Sequence, residues 1–237
     1  MSDKVPGNFA LWGQKDVVEV YRSKQKSDFF ATDTYFLSRI SPEVKSILDV
    51  GCAVGRLIEV FNQFGYQARY KGIDIIPENI AAAKETYPQH EFEVADAVTY
   101  KTDERFDLVY CAGSLFHIPG YEQVITNMLA CSNKYVGFEV KFGPRADHLM
   151  DITQSYSAIG SERAYWILLN PWKFFDWLTR QPGIGRIQAF GYKTPKNRFT
   201  TTPPDIRHFV STAVFIEKGD HLHEVSLDLP FAALRQD

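Results

Sequence analysis

Short apolar runs alternate along this chain with segments whose apolar residues recur at helical spacing, and glycine or proline stands at most of the junctions. Residues 46–50 form a first run that ends at Gly51, and a helical pattern over 56–64 is stopped by Gly65. Residues 70–75 form a second run, followed by Pro77 at a first helical position and a predicted helix over 78–87 that Pro88 closes. Third and fourth strands are predicted over 92–95 and 106–111, and the polar connection between them, 99–105, is too short for a full helix. Residues 121–131 place Val124, Ile125, Met128 and Leu129 on one helical face, and 135–140 supply a fifth strand.

Strands that feed crossover helices run parallel, so 46–142 reads as an open parallel sheet with helices on both faces and a ligand site beyond the strands' carboxyl ends. Downstream, 171–180 reads as a short amphipathic helix whose Trp172, Phe175 and Leu178 pack inward. Residues 186–192 and 209–218 read as a closing antiparallel pair. One domain follows, with a helical cap over about 1–44, a cofactor core over 45–142 and a substrate-lid insert over 143–170. A C-terminal helix and strand pair covers 171–218, and 219–237 is a tail. Its 237 residues and its 45% hydrophobic and 23% charged content suit one globular core.

Cys52, Cys111 and Cys131 are widely spaced, which suggests neither a disulfide framework nor a zinc cluster and fits a reducing compartment. With no secretory-type start and no long apolar span, a cytoplasmic address and no membrane partner are expected. The formal charge of -3 lacks the whole-chain basic signature of a nucleic-acid binder. Charge is unevenly spread, however: residues 141–218 hold 11 Lys or Arg against 6 Asp or Glu, a net of +5.

The strongest local signal is ILDVGCAVGRL, residues 47–57, where a strand ends in a glycine-spaced turn that opens a helix. Gly51 can take backbone angles closed to other residues, and Gly55 permits close helix–strand approach, so the turn's backbone is expected to meet a ligand. Asp74 ends the second strand, placed to accept hydrogen bonds from ribose hydroxyls. The Gly-x-Gly-x-x-Gly pattern of dinucleotide sites and the Gly-Lys-Ser/Thr of triphosphate sites are both missing, which leaves an adenosine without phosphates.

In order, ILDVGCAVGRL, YKGIDIIPENI, EFEVADAVTY and FDLVYCAGSLFHIP resemble four motifs of the class I S-adenosylmethionine methyltransferases, over about residues 45–142. The resemblance implies a Rossmann-like, doubly wound, mostly parallel seven-stranded sheet of order 3-2-1-4-5-7-6 with the last strand antiparallel. It implies that Asp49, Gly51, Cys52 and Gly55 surround the methionine part of S-adenosylmethionine, and that Asp74 and Ile75 hold the ribose. Asp96 and Ala97 would hold the adenine, while Cys111, Ala112, Gly113 and Ser114 would form the floor near the sulfonium. Ala53 departs from the family's usual second glycine.

Methyl transfer needs an acceptor atom held in line with the methyl, and a base where that atom is a hydroxyl. His117 is the first candidate base and His148, beside Asp147, the second. Arg145, Arg163 and Arg198, with Lys193, Lys196 and Arg207, suggest an anionic acceptor. Tyr21 and Tyr156, from a set of aromatics that includes Trp12 and Trp166, together with Glu139, complete the candidate acceptor contacts. The places after the fourth and fifth strands lack the carboxylates of metal-assisted methyl transfer, so no metal is expected. The leading expectation is O-methylation of a small polar molecule, anionic or sugar-like. The alternatives are an RNA or protein methyltransferase and a non-catalytic adenosine-binding module.

Overall fold

The computed structural model describes residues 9–23, 29–40, 43–159 and 161–234. A 3-10 turn, Ala10–Gly13, leads into α1 (Lys15–Ser23) and then the short α2 (Ala31–Thr34). The core follows as β1 (Ser46–Val50), α3 (Leu57–Gln63), β2 (Arg69–Asp74), α4 (Pro77–Thr86), β3 (Glu91–Val94), β4 (Phe106–Cys111), α5 (Tyr121–Cys131) and β5 (Ser132–Phe142). The insert holds β6 (Tyr156–Ile159) and β7 (Glu162–Tyr165). The chain continues with α6 (Pro171–Leu178), β8 (Ile184–Pro195), β9 (Thr200–Thr201), β10 (His208–Lys218) and β11 (Glu224–Asp228).

The main sheet has eight strands in the order β11-β8-β10-β5-β4-β1-β2-β3. β1 to β5 are parallel, and β10 runs antiparallel to both β5 and β8. The expected seven-strand order is therefore present, with one correction: the tail does not stay outside the sheet, because β11 pairs parallel to β8 and makes an eighth, outermost strand. A second correction concerns the insert and the loop after β8, which build a three-stranded sheet, β7-β6-β9. Ile167 N donates to Phe116 O (2.8 Å), which ties this small sheet to the loop after β4.

Apolar cores lie on both faces of the main sheet. One joins β1 and β4 side chains to Ile58 and Phe61 of α3, Ile80 and Ala83 of α4, and Phe36 and Leu37 of the cap. The other sets Val124, Ile125 and Met128 of α5 and Phe174 and Leu178 of α6 against Phe138, Val140 and Phe142 of β5. Each fully buried side chain of this kind contributes roughly 1.5–3 kcal/mol. Helix α6 starts where Asn170 Oδ1 accepts the Lys173 amide (2.9 Å) and Pro171 takes the first turn. Trp172 does not pack inward with Phe175 and Leu178: it is 60% exposed and stacks on Phe231.

Candidate active site

β1 ends in a hinge with three residues at positive φ: Gly51 (73°), Ala53 (48°) and Gly55 (82°). A Cβ on Gly51 would stand 2.4 Å from Ser114 Oγ, so glycine is what lets the turn after β1 touch the loop after β4. The left-handed backbone at Ala53 is strained for an L-residue, and it aims that residue's amide at Asp74 Oδ2 (2.9 Å). The amides of Gly51 and Cys52 both donate to Ile73 O (2.8 and 3.0 Å). The expectation that hinge amides meet a ligand is corrected at these three residues: their N–H groups are occupied within the protein.

A cleft of about 650 Å³, including the part open to solvent, lies beyond the strand ends. Gly51, Asp74, Ile75, Asp96, Ala97, Gly113, Ser114 and His117 line it. Phe9, Trp12, Ala53, Ile76, Asn79, Ala95 and Ile118 complete its wall. Asp74 is buried at the tip of β2, and its Oδ1 accepts from Ile76 N (2.9 Å) and Asn79 Nδ2 (3.4 Å). Burial raises its carboxyl pKa, and the three donors oppose that shift. Asp96 Oδ1 accepts the Val98 amide (2.9 Å), which fixes the loop after β3 at the cleft.

Five expected cofactor residues are not in this wall. Asp49 lies within β1 and accepts from Tyr70 OH (2.5 Å). Burial pushes its carboxyl up to about 7. Cys52 is also buried, behind the hinge, and a Cβ on Gly72 would meet its Sγ at 2.7 Å. Gly55 faces the rings of Tyr87 and Phe92, which makes it a packing glycine. Cys111 is buried in β4, and Ala112 packs on the core beside α3.

His117 closes a short 3-10 turn, Leu115–His117, and packs between Trp12 (4.6 Å between centroids) and Trp166 (5.6 Å). Its Nδ1 is 2.5 Å from Tyr165 O, and a carbonyl only accepts, so Nδ1 carries the hydrogen and Nε2 keeps a lone pair. Burial is the main reason its pKa falls to about 4. His148, the second candidate base, does not line the cleft: its Nδ1 accepts the Asn170 amide (2.8 Å) beside Tyr121. Asp147 pairs with Lys173 at the surface.

The cationic residues do not converge. Arg145 Nη2 reaches both carboxylate oxygens of Asp205 (2.9 and 2.7 Å), Arg163 lies over the Tyr156 ring (4.2 Å) and Arg198 over the Phe199 ring (4.6 Å). Lys196 donates to Pro203 O. Neither these residues nor Lys193, Arg207 or Tyr156 line the cleft. Tyr21 falls in α1, and its side chain lies outside the described residues.

The buried cation is one that sequence reasoning missed. Lys141, near the end of β5, donates to Glu139 Oε1 (2.6 Å) and Ser211 Oγ (2.8 Å) under the rings of Phe116, Trp166 and Phe209. Helix α2 covers this group: Thr32 Oγ1 donates to Glu139 (3.2 Å), Tyr110 OH donates to Thr32 O (3.1 Å), and Asp33 pairs with Arg56 (3.3 Å). Two charged residues two apart on a strand share a face, and that spacing was the available signal. Asn79 was missed because a polar residue in a first helical turn usually reads as a solvent contact. Among the described residues, no group of three or more His, Cys, Asp or Glu is placed to hold a metal ion.

Residues 47–134, which span hinge, cleft and β4, match the family model described as a methyltransferase domain. Over that stretch the chain is similar to class I methyltransferase domains. Curated relatives of the domain include trans-aconitate 2-methyltransferases from Variovorax paradoxus, 32% identical over 90 residues, and from Escherichia coli, 29% over 98 residues. These matches cover 38% and 41% of this chain, and 35% and 39% of the relatives' own length. Solved structures that share the fold include the N-terminal domain of EvdMO1 crystallised in the presence of SAH and D-fucose (TM-score 0.57, 16% identity, covering 87% of this chain and 84% of that one). Another is magnesium protoporphyrin IX methyltransferase from Synechocystis with bound SAM (TM-score 0.55, 13% identity, covering 91% and 99%). No helix among the described residues is long and apolar enough to cross a membrane.

Proposed function

We propose that this chain is an S-adenosylmethionine-dependent methyltransferase acting on an oxygen of a small, polar, anionic molecule, with a carboxylate as the favoured acceptor. One observation carries the cofactor reading. The cleft presents buried acceptors, Asp74 and the unpartnered Asn79 Oδ1, beside a hinge whose first amides are already bonded. Such a site welcomes hydroxyl donors and offers a phosphate no cradle of free amides, which fits a nucleoside without phosphates.

S-adenosylmethionine supplies a methyl group on a sulfonium for in-line displacement. Gly51 and Ser114 bring the β1 and β4 loops together at the floor, while Trp12 and His117 form an aromatic wall that excludes water. His117 holds no proton on Nε2 at neutral pH and is a weak base, so it orients an acceptor better than it deprotonates one. A carboxylate is already ionised and needs no base, which favours it over an alcohol. The name of the curated relatives, trans-aconitate 2-methyltransferase, is that of an enzyme for a carboxylic acid and supports the same class.

Calorimetric titration with S-adenosylmethionine and S-adenosylhomocysteine is expected to give micromolar binding. Labelled methyl transfer is expected to favour trans-aconitate and related di- and tricarboxylates over sugars. Absence of binding below the millimolar range would sink the cofactor reading, and transfer only to neutral alcohols would sink the acceptor class.

A further inference from the structure

Asn79 sits in the first turn of α4, is 2% exposed and lines the cleft. Asp74 only accepts when ionised, so the side of the amide that faces it must be Nδ2, and this orients Oδ1 the other way. Oδ1 has no hydrogen-bond partner in the protein. A buried acceptor without a donor is unfavourable wherever it stands, and here the residue that carries it lines the cleft.

The neighbouring carboxylate explains what that acceptor is for. A carboxylate offers about four acceptor positions. In Asp74, Oδ1 takes Ile76 N and Asn79 Nδ2, and Oδ2 takes Ala53 N, an amide turned onto it by the left-handed backbone at Ala53. One position is left, on Oδ2. The cis-diol of a ribose brings two O–H donors, one more than Asp74 can receive.

We propose that the diol is divided between two residues, with one hydroxyl donating to Asp74 Oδ2 and the other to Asn79 Oδ1. The assignment rests on the nucleoside reading of the cleft and adds Asn79 as a ligand-binding residue that sets specificity. The ligand class is then a nucleoside with both ribose hydroxyls free. A 2′-phosphate would meet the Asp74 carboxylate, and a deoxyribose would leave a buried acceptor unpaired.

The test is a ligand and mutant cycle by calorimetry on the full chain, using S-adenosylhomocysteine and its 2′-deoxy and 3′-deoxy analogues against wild type and Asn79→Leu. For wild type, removal of either hydroxyl is expected to weaken binding about 10-fold or more. For Asn79→Leu, S-adenosylhomocysteine is expected to bind about 10-fold weaker, and one of the two deoxy analogues to bind within about 2-fold of it. Equal weakening of all three ligands by the substitution overturns the assignment, because Asn79 then acts only through Asp74. Unchanged binding of all three overturns it as well. Asn79→Ala, read in the same cycle, replaces the leucine variant if thermal melting shows that variant unfolded. Wild type that binds none of the three removes the nucleoside reading itself, whereas wild type that binds all three equally removes the Asn79 assignment alone.

Discussion

The two ends of the active-site edge bury polar groups in opposite ways. At the tip of β2, Asp74 and Asn79 face a cleft with an acceptor left over. At the end of β5, Glu139 and Lys141 are enclosed with their charges paired, roofed by aromatic rings and by Thr32 of α2. A leftover buried acceptor on a residue that lines a cleft is a polar group the protein itself does not satisfy. A completed ion pair under a cap is closed to a ligand, and removing either partner would leave a desolvated charge without its counterion.

The largest expected effect breaks the closed end. Lys141→Met removes the cation and leaves Glu139 buried beside Asp33, whose carboxyl is already held above its usual range by burial and by Glu139. Loss of one partner of a buried pair costs about 3–5 kcal/mol, and removal of both, in Lys141→Met with Glu139→Leu, should restore most of it. Urea denaturation of the three proteins reads this directly. A single-variant loss below about 1 kcal/mol would mean that the Lys141–Glu139 pair contributes no more than an exposed one.

The next effect concerns two buried groups, His117 in the cleft wall and Asp49 inside β1 behind it, which titrate with opposite signs. His117 resists protonation down to about pH 4 when folded, whereas in the unfolded chain it takes a proton near 6.5. Its contribution therefore falls as pH drops from 6.5 towards 4. Asp49 keeps its proton up to about pH 7 when folded and loses it near 3.8 when unfolded. Its contribution falls as pH climbs from 3.8 towards 7. Each swing is roughly 3–4 kcal/mol, and in the wild type they largely offset each other. Melting curves from pH 4 to 8 are expected to show Asp49→Asn gaining stability relative to wild type at the alkaline end. His117→Gln is expected to gain it at the acid end. Parallel curves for all three proteins would refute both assignments.

How much of this was legible in the sequence follows the same division. Apolar runs bounded by glycine and proline gave β1, β2, β4 and β5 because buried parallel strands read as continuous hydrophobic runs. β11, with the sequence EVSLD and mostly exposed side chains, carries no such run, and only its pairing to β8 makes it a strand. The four-residue strands β6 and β7 and the two-residue β9 are below the length at which alternation says anything. At the site, the spacing from the hinge to Asp74 was readable, because it depends on one strand–turn–helix unit. Asp49 and Cys52 were assigned to the cofactor by motif position, but alternation along β1 turns Asp49 towards Tyr70. The cationic residues illustrate the opposite failure: a local excess of charge in sequence says nothing about where side chains point.

That last point yields the smallest expected effect. Arg145 forms a two-oxygen contact with Asp205, and Asp205 is well exposed, so water and salt screen the pair. Exposed pairs contribute about 0.2–1 kcal/mol. Arg145→Ala is expected to lower stability within that range and to leave the KM for a carboxylate acceptor unchanged within about 2-fold, since the side chain neither lines the cleft nor touches the Lys141 group. A rise of about 10-fold or more in that KM, with kcat retained, would show that Arg145 leaves Asp205 to meet the acceptor. The contrast between an open cleft end and a sealed charged end would then be incomplete, because a surface cation would belong to the acceptor's path.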